Sequence, residues 1–587
     1  MLTKCQFDVL LSLLQSGAVT QRFIADSIHA SLGSVNKAFA DLKSKGLIDS
    51  DGFVTELGKQ ALASYRVDNA VILAAGVGTR FAPLSFEKPK AMFEVRGETL
   101  IERLIRQLKG AGIDNIIVVV GYMKEAFFYL EDKYGVDIVI NREYADRNNH
   151  SSVWAARDYI RNTYIVSSDQ YYSDNLFKPY VYNTCISAVF DENETEEYVL
   201  ATDKKLRVTS MVKGGCNAYR MQGPAYFSLN DSRTLLALLE KEACSPNSAA
   251  LLWDDILAEH LNQFDVVMNP IDDDAIHEFN YVTDLTAFDA DFFANVDSKI
   301  LDNICSTLNC TRNDIVRVAP IKAGLTNLSV LFEAKGSKYV YRHPGNGTEE
   351  IVNRKAETHA LETAKKLGLD DTYIYEDPSE GWKISKFIDG CVDFDYRNQA
   401  HVEKALAMIR TLHTSGEKSP WSFDFFDEAL KIVDLLKKLN YPFPADFNYL
   451  LDSITRLGDE MRVDQGDPVF CHNDFYGPNF LVKGDDMRLI DWEYAAMGDY
   501  ACDLGNFVAQ GSGYSVEEAC DVLHFYYGRN PSAEEERHCL GAVGVVGFYW
   551  YVWAMYKEAM GNPVGDWLYV WYKAAKQFGA AALRRYE

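Results

Sequence analysis

Leu73-Ala-Ala-Gly-Val-Gly-Thr-Arg80 is the stretch from which the rest of the chain can be read. The run Ala70-Val-Ile-Leu-Ala-Ala75 in front of it has the unbroken hydrophobicity of a strand buried on both faces. Gly76 and Gly78 then let backbone N–H groups approach an anion with no Cβ in the way. Arg80, and Lys90 in Glu87-Lys-Pro-Lys-Ala-Met92, follow the turn closely. Two cations there can neutralise a triphosphate and a pyrophosphate leaving group. A dinucleotide-binding turn would carry a third glycine, which is absent here. Outward from this turn, residues 100–111 predict an amphipathic helix, with Ile101, Leu104, Ile105 and Leu108 on one face. Residues 115–121, 136–140 and 164–166 predict further strands. The layout over residues 67–290 is a doubly wound α/β domain, whose ligands sit at the carboxyl ends of the strands.

A second phosphate signature lies far downstream: His472-Asn-Asp-Phe-Tyr-Gly-Pro-Asn479, then Ile490-Asp-Trp-Glu-Tyr494. An aspartate beside an acceptor hydroxyl can orient it and take its proton. An asparagine five residues on, with a later strand-end aspartate, can hold magnesium on a nucleotide's phosphates. Asp474, Asn479 and Asp491 have those places. Residues 315–321, 328–332 and 339–342 predict strands ahead of a mostly helical remainder. That is a bilobal, protein-kinase-like α+β arrangement over residues 299–587, with the seam at residues 287–298.

Bulk properties narrow the class. At 587 residues the chain should form about three or four domains. A hydrophobic content of 48% suffices for large cores, and a formal net charge of -26 argues against broad binding to nucleic acid or an anionic membrane. Eleven scattered cysteines with no CxxC pair predict free thiols and a cytoplasmic address. No secretory signal is visible. Residues 539–556 are eighteen residues without a charge, borderline for a bilayer span, but their glycines and aromatics suit a buried helix of the last domain.

The first motif resembles the nucleotidyltransferases that activate sugar phosphates and phosphocholine. The resemblance implies a CTP site at Leu73, Ala75, Gly76, Gly78 and Thr79, with Arg80 and Lys90 catalytic. It implies magnesium on Asp169, which ends Tyr164-Ile-Val-Ser-Ser-Asp169, and on Glu278, with Asn280 where relatives carry a second aspartate. Asn148-Asn-His-Ser-Ser-Val-Trp-Ala-Ala-Arg157 and Leu251-Leu-Trp-Asp-Asp-Ile256 resemble the phosphocholine group, which nominates Trp253 and Asp254 for the quaternary ammonium, with Tyr171 and Tyr219 as additions.

The second motif resembles the choline kinase and aminoglycoside phosphotransferase superfamily. It implies ATP under a turn at Ala323-Gly-Leu-Thr-Asn-Leu328, so that Thr326 and Asn327 bind nucleotide. It makes Arg342 the phosphate-pairing cation braced by Glu357, and Asp474 catalytic with magnesium on Asn479 and Asp491. Phe548-Tyr-Trp-Tyr-Val-Trp553 resembles the late helix of the family's choline cage. Trp550 and Trp553 then share a helix face, Trp567 and Tyr569 complete the cage, and Glu493 and Asp503 are acids near it.

Residues 1–66 read as three short helices and a strand–turn–strand wing, and resemble winged-helix regulators. DNA contact around Ser34, Asn36 and Lys37 and a docking or dimerisation role both stay open, as does homo-oligomer formation. The whole is expected to be a multidomain α/β enzyme making CDP-choline in two magnesium-dependent steps, from choline and ATP, then from phosphocholine and CTP. Ethanolamine or another amino alcohol is the alternative substrate. A DNA-binding regulator that senses these ligands is the alternative class.

Overall fold

The computed structural model describes residues 2–243, 245–321, 327–344, 353–561 and 564–587. It divides into two compact units, Met1–Asp302 and Asn303–Glu587.

In the first unit the strand Asn69–Ala74 runs parallel to both Ile116–Val120 and Thr163–Ser167, with Asp137–Ile140 beyond the former. Leu73 sits opposite Ser167, and Ala74 opposite Val120. The glycine turn and Ser168-Asp169 therefore leave the sheet side by side, tied by Ser168 N donating to Leu73 O at 3.2 Å. Gly78 takes a left-handed backbone (φ +64°), which glycine adopts without strain. Gly121 carries no side chain because a Cβ there would lie 2.6 Å from the Tyr144 ring.

The sheet departs from the doubly wound expectation beyond Thr163–Ser167. Cys185–Asp191, Thr195–Thr202, Val208–Gly215 and Ala218–Phe227 follow one another as strands and extend it with antiparallel pairs. Strict helix–strand alternation fails there because consecutive strands joined by short turns can pair antiparallel. The strand Ile276–Glu278 pairs with Gln170–Tyr172, placing Glu278 opposite Gln170 and hence beside Asp169.

The N-terminal segment holds four helices rather than three: Lys4–Ser16, Gln21–Ser27, Leu32–Ser44 and Glu56–Ala63. The last is started by Thr55, whose side chain accepts from Gly58 N. An Ile48–Val54 bridge forms the hairpin between the last two. The segment packs onto the transferase half of its unit. Tyr65 stacks on Tyr182 at 5.3 Å, and the Tyr182 hydroxyl donates to Leu2 O at 2.8 Å.

The second unit opens with a five-stranded antiparallel sheet that includes Ile315–Ile321, Asn327–Ala334 and Ser337–Pro344. A helical lobe follows. Ala533–Ala559 is its central helix, long and apolar enough to cross a membrane, yet buried over 94% of its most apolar window. Phe425–Lys438, Phe447–Asp464, Tyr500–Ala509 and Trp567–Tyr586 pack around it. Gly544 and Gly547 let Trp567–Tyr586 approach closely, since a Cβ at either would meet that helix's backbone within 3.0 Å.

Candidate active sites

A cavity of about 600 Å³ opens at the carboxyl ends of the central strands. Leu73, Ala75, Gly76, Gly78, Thr79, Arg80, Lys90, Asp169, Trp253, Asp254, Glu278 and Asn280 all line it. Lys90 Nζ pairs with Asp169 Oδ2 at 2.9 Å and donates to Phe279 O. Arg80 lies over the Tyr281 ring at 5.5 Å. Burial, and then the charge of Asp169, push the Glu278 carboxyl up to about 7. Asp169 Oδ1 is buried with no hydrogen-bond donor among the described residues. Two adjacent carboxylates, one with an idle oxygen, form a donor set suited to a hard divalent cation. Asn280 offers an amide to the same cavity, while its backbone N–H donates to Asp284 at 2.7 Å.

The ammonium end differs from the sequence expectation. Trp253 reaches the cavity wall, but its ring stands edge-on to Phe227 at 5.8 Å in the hydrophobic core. Tyr171 stacks under Arg103 at 4.2 Å, Tyr219 packs on Phe190 at 5.3 Å, and neither lines the cavity. Asp254 does line it, and burial pushes its carboxyl up to about 6. Glu197 and Gln222, which no motif marked, line it as well.

In the second unit the strand Val469–Cys471 delivers His472-Asn473-Asp474. Asp503 holds that loop from behind, its carboxylate accepting from His472 N at 2.8 Å and Asn473 N at 2.6 Å. His413 Nε2 shares Asp503 at 2.9 Å, so this acid is a backbone brace rather than a cage wall. Asp474 accepts from Gln510 Nε2 and from Asn479 Nδ2, each at 2.9 Å. Burial pushes its carboxyl up to about 7. With its nitrogen given to Asp474, Asn479 keeps its oxygen for a cation. Asp491 takes a left-handed backbone (φ +70°), unusual outside glycine and common at functional sites.

Arg342 stands on Ser337–Pro344 opposite Lys383. Its guanidinium lies 2.6 Å from Glu357, 3.1 Å from Glu376, 3.6 Å from Asp491 and 3.8 Å from Glu493. Lys383 shares Glu357 at 3.1 Å. Burial would raise Glu357, but the charges of Arg342 and Lys383 hold it well below the usual carboxylate range. Burial pushes Glu376 and Glu493 each up to about 8. Glu493 thus faces the phosphate-side cation, and its charge also bears on Tyr476 and Tyr494 of the ring row. Asn327 pairs with Pro344 through the backbone, whereas Thr326 and residues 323–325 lie outside the described residues.

The rings form a row. Tyr494 meets Trp550 at 5.9 Å, Trp550 stacks with Trp571 at 5.7 Å, Trp571 with Trp567 at 5.3 Å, and Trp567 meets Tyr476 at 6.5 Å. Trp553 stands edge-on to Trp550 at 5.5 Å. Tyr476 sits two residues past Asp474, and Asp474 bears electrostatically on both Tyr476 and Tyr494. Trp550 and Trp553 are 5% and 7% exposed, so they are inner members, with half-buried Trp567 the more open one. Trp550 Nε1 donates to Asn506 at 2.8 Å, and Asn506 Oδ1 accepts in turn from Gln510. Tyr569 is 61% exposed and stacks on Tyr572 at 6.3 Å instead. Trp571 was legible at one helical turn from Trp567 and takes Tyr569's place.

Two family models match: a MobA-like NTP transferase domain at residues 70–185 and choline/ethanolamine kinase at residues 318–541. A 2-aminoethylphosphonate cytidylyltransferase of Lancefieldella rimae is 37% identical over 225 residues, 38% of this chain and 92% of that protein. A choline-phosphate cytidylyltransferase of Streptococcus pneumoniae is 32% identical over 215 residues, 37% of this chain and 94% of that protein. The chain belongs to the family of these cytidylyltransferases, and the choline/ethanolamine kinase match lies on the same chain at residues 318–541. A crystal structure of choline kinase LicA from Streptococcus pneumoniae, 26% identical with a TM-score of 0.42, covers 48% of this chain and 98% of that chain. The kinase match ends at residue 541, short of Trp550, Trp553, Trp567 and Trp571, so their place in the row comes from ring geometry alone.

Proposed function

We propose that this chain makes CDP-choline in two steps. At Asp474, choline is phosphorylated by ATP; at the first cavity, phosphocholine attacks CTP and pyrophosphate leaves. The observation that carries the substrate is the row of rings from Tyr494 to Tyr476, whose two end members feel the charge of Asp474. Ring faces attract a methylated ammonium that has no hydrogen to donate. The relatives named for choline-phosphate point the same way.

Asp474 accepts the hydroxyl proton as the choline oxygen attacks the γ-phosphorus. Arg342, held by Glu357 and Glu376, pairs with the phosphates. In the transferase, Lys90 and Arg80 offset charge on the departing pyrophosphate. Magnesium would be held by Asp169 and Glu278 in one site and by Asn479 and Asp491 in the other. When bound it draws charge from the reacting phosphates. Chelation should abolish both activities, and added magnesium should restore them. The test is incubation of the purified chain with choline, ATP, CTP and magnesium. Mass detection of CDP-choline supports the reading; phosphocholine without CDP-choline, or neither, contradicts it.

Residues 1–66 are proposed to be a winged helix. A second reading, a ligand-sensing regulator that contacts DNA, has in its favour the exposed face of Leu32–Ser44, where Ser34, Asn36 and Lys37 all reach solvent. A choline-dependent DNA mobility shift would support it. The free cysteines fit a cytoplasmic address, which belongs to the same proposal.

A further inference from the structure

Residues 287–298 read from the sequence as a seam between domains, yet that stretch and the helix start after it pack against parts of the first site. The Glu87 carboxylate accepts from the Ser298 hydroxyl, and from Ile300 N at 3.1 Å. Ser298 Oγ accepts in turn from Leu301 N at 3.2 Å. Glu87 and Ser298 together satisfy two of the free N–H groups that begin the helix Lys299–Leu308. Ser298 and Ile300 are both buried. A carboxylate at a helix start also meets the positive end of its dipole.

Glu87 lies three residues before Lys90, on the loop that carries the cations for pyrophosphate. The same stretch grips that loop further on. Phe292 meets Phe93 edge-on at 6.1 Å, Arg96 N donates to Asp289 at 2.7 Å, and the Arg96 guanidinium lies 3.6 Å from the Phe288 ring centre. It grips the strand of Glu278 as well. The Phe288 ring lies 4.3 Å from that of His277 and 5.5 Å from that of Phe279, the residues on either side of Glu278. One segment therefore holds the loop of Lys90 and the strand of Glu278 at a fixed spacing, beside the cavity that both residues line.

That hold matters once the site is loaded. Here the Lys90 ammonium sits on Asp169 and Phe279 O. To meet a departing pyrophosphate it must leave Asp169. Its reach is then set by where the loop backbone stands, and its own side-chain contacts no longer fix that. Glu87, Phe93 and Arg96 do, through their contacts with residues 288–301.

We propose that residues 288–301 are a positioning clamp of the transferase rather than a passive linker, with Glu87 as the residue through which they set Lys90. The inference rests on the transferase reading above. Glu87 does not line the cavity, so it acts through Lys90 and is a positioning residue, not a catalytic one. Its loss lets the loop shift while the glycine turn and the strand-end acids stay where the sheet puts them.

The test uses the full chain with CTP, phosphocholine and magnesium, reading pyrophosphate release. Amide hydrogen exchange of residues 84–96 is measured beside it, without ligands. Glu87→Ala should lower kcat by about 10²-fold, the cost of a misplaced group, with KM for CTP and for phosphocholine little changed. Glu87→Gln, whose carbonyl can still accept from Ile300 N, should recover most of that rate. Ser298→Ala leaves the loop's own sequence intact and should lower kcat in the same direction. Exchange over residues 84–96 should quicken in both alanine variants. An unchanged kcat in both overturns the proposal, as does unchanged exchange, a loss confined to KM, or an equal loss of choline phosphorylation. If Glu87→Ala does not fold, Ser298→Ala decides by the same readings. Absence of pyrophosphate from the unaltered chain would instead overturn the transferase reading itself.

Discussion

Asp474 owes its chemistry to neighbours on two elements. Asn479 comes from its own loop, while Gln510 caps the helix Tyr500–Ala509, 36 residues further on. Burial pushes the Asp474 carboxyl up to about 7, and only the carboxylate form can accept a proton. The sign is therefore fixed: kinase kcat/KM should fall as pH drops below about 7 and level off above it, read from a pH–rate profile. Gln510→Leu frees one oxygen of Asp474 to rotate. It should lower kcat for choline phosphorylation by about 10²-fold, the cost of a misplaced group, and leave KM for ATP unchanged. An unaltered kcat would remove Gln510 from this role. Asp474, Asn479 and Asp491 were legible because phosphoryl transfer fixes their spacing along one loop and hairpin. Gln510, Lys383 and Glu376 were not, because they arrive from separate helices and strands and no motif links them.

At the level of elements, the helix Ala533–Ala559 supplies the inner rings and Trp567–Tyr586 the outer ones. Trp567→Ala removes a half-buried ring with little cavity cost. Each ring facing a methylated ammonium contributes about 0.5–2 kcal/mol, so KM for choline should rise about 2- to 30-fold with KM for ATP steady. An equal rise in both would show general damage to the lobe instead. Pattern reading succeeded where periodicity was long and regular, as in the parallel strands around Leu73 and the late apolar helix. It placed Trp253 and Asp254 at one cavity, but adjacency in sequence says nothing about ring direction; Phe227 bears on that from another strand. The antiparallel run Cys185–Phe227 was missed for a related reason. Its half-exposed strands lack the continuous hydrophobicity that marks buried parallel ones.

On the scale of the whole molecule, two phosphate chemistries are kept in separate units, each with its own acids and cations. The first site ties Asp169, Glu278 and Lys90 together through strand register. The second ties Asp474 to Asn479 within one loop, and Arg342 of the small sheet to Asp491. Among the described residues each set lies within its own unit, so one activity should survive loss of the other. Asp474→Asn, supplied with ATP, CTP and magnesium, puts this most directly to the test. Fed phosphocholine, it should release CDP-choline and pyrophosphate at the wild-type rate; fed choline, it should yield neither phosphocholine nor CDP-choline. Loss of the product with both feeds, or its formation from choline, would contradict two separate sites acting in sequence.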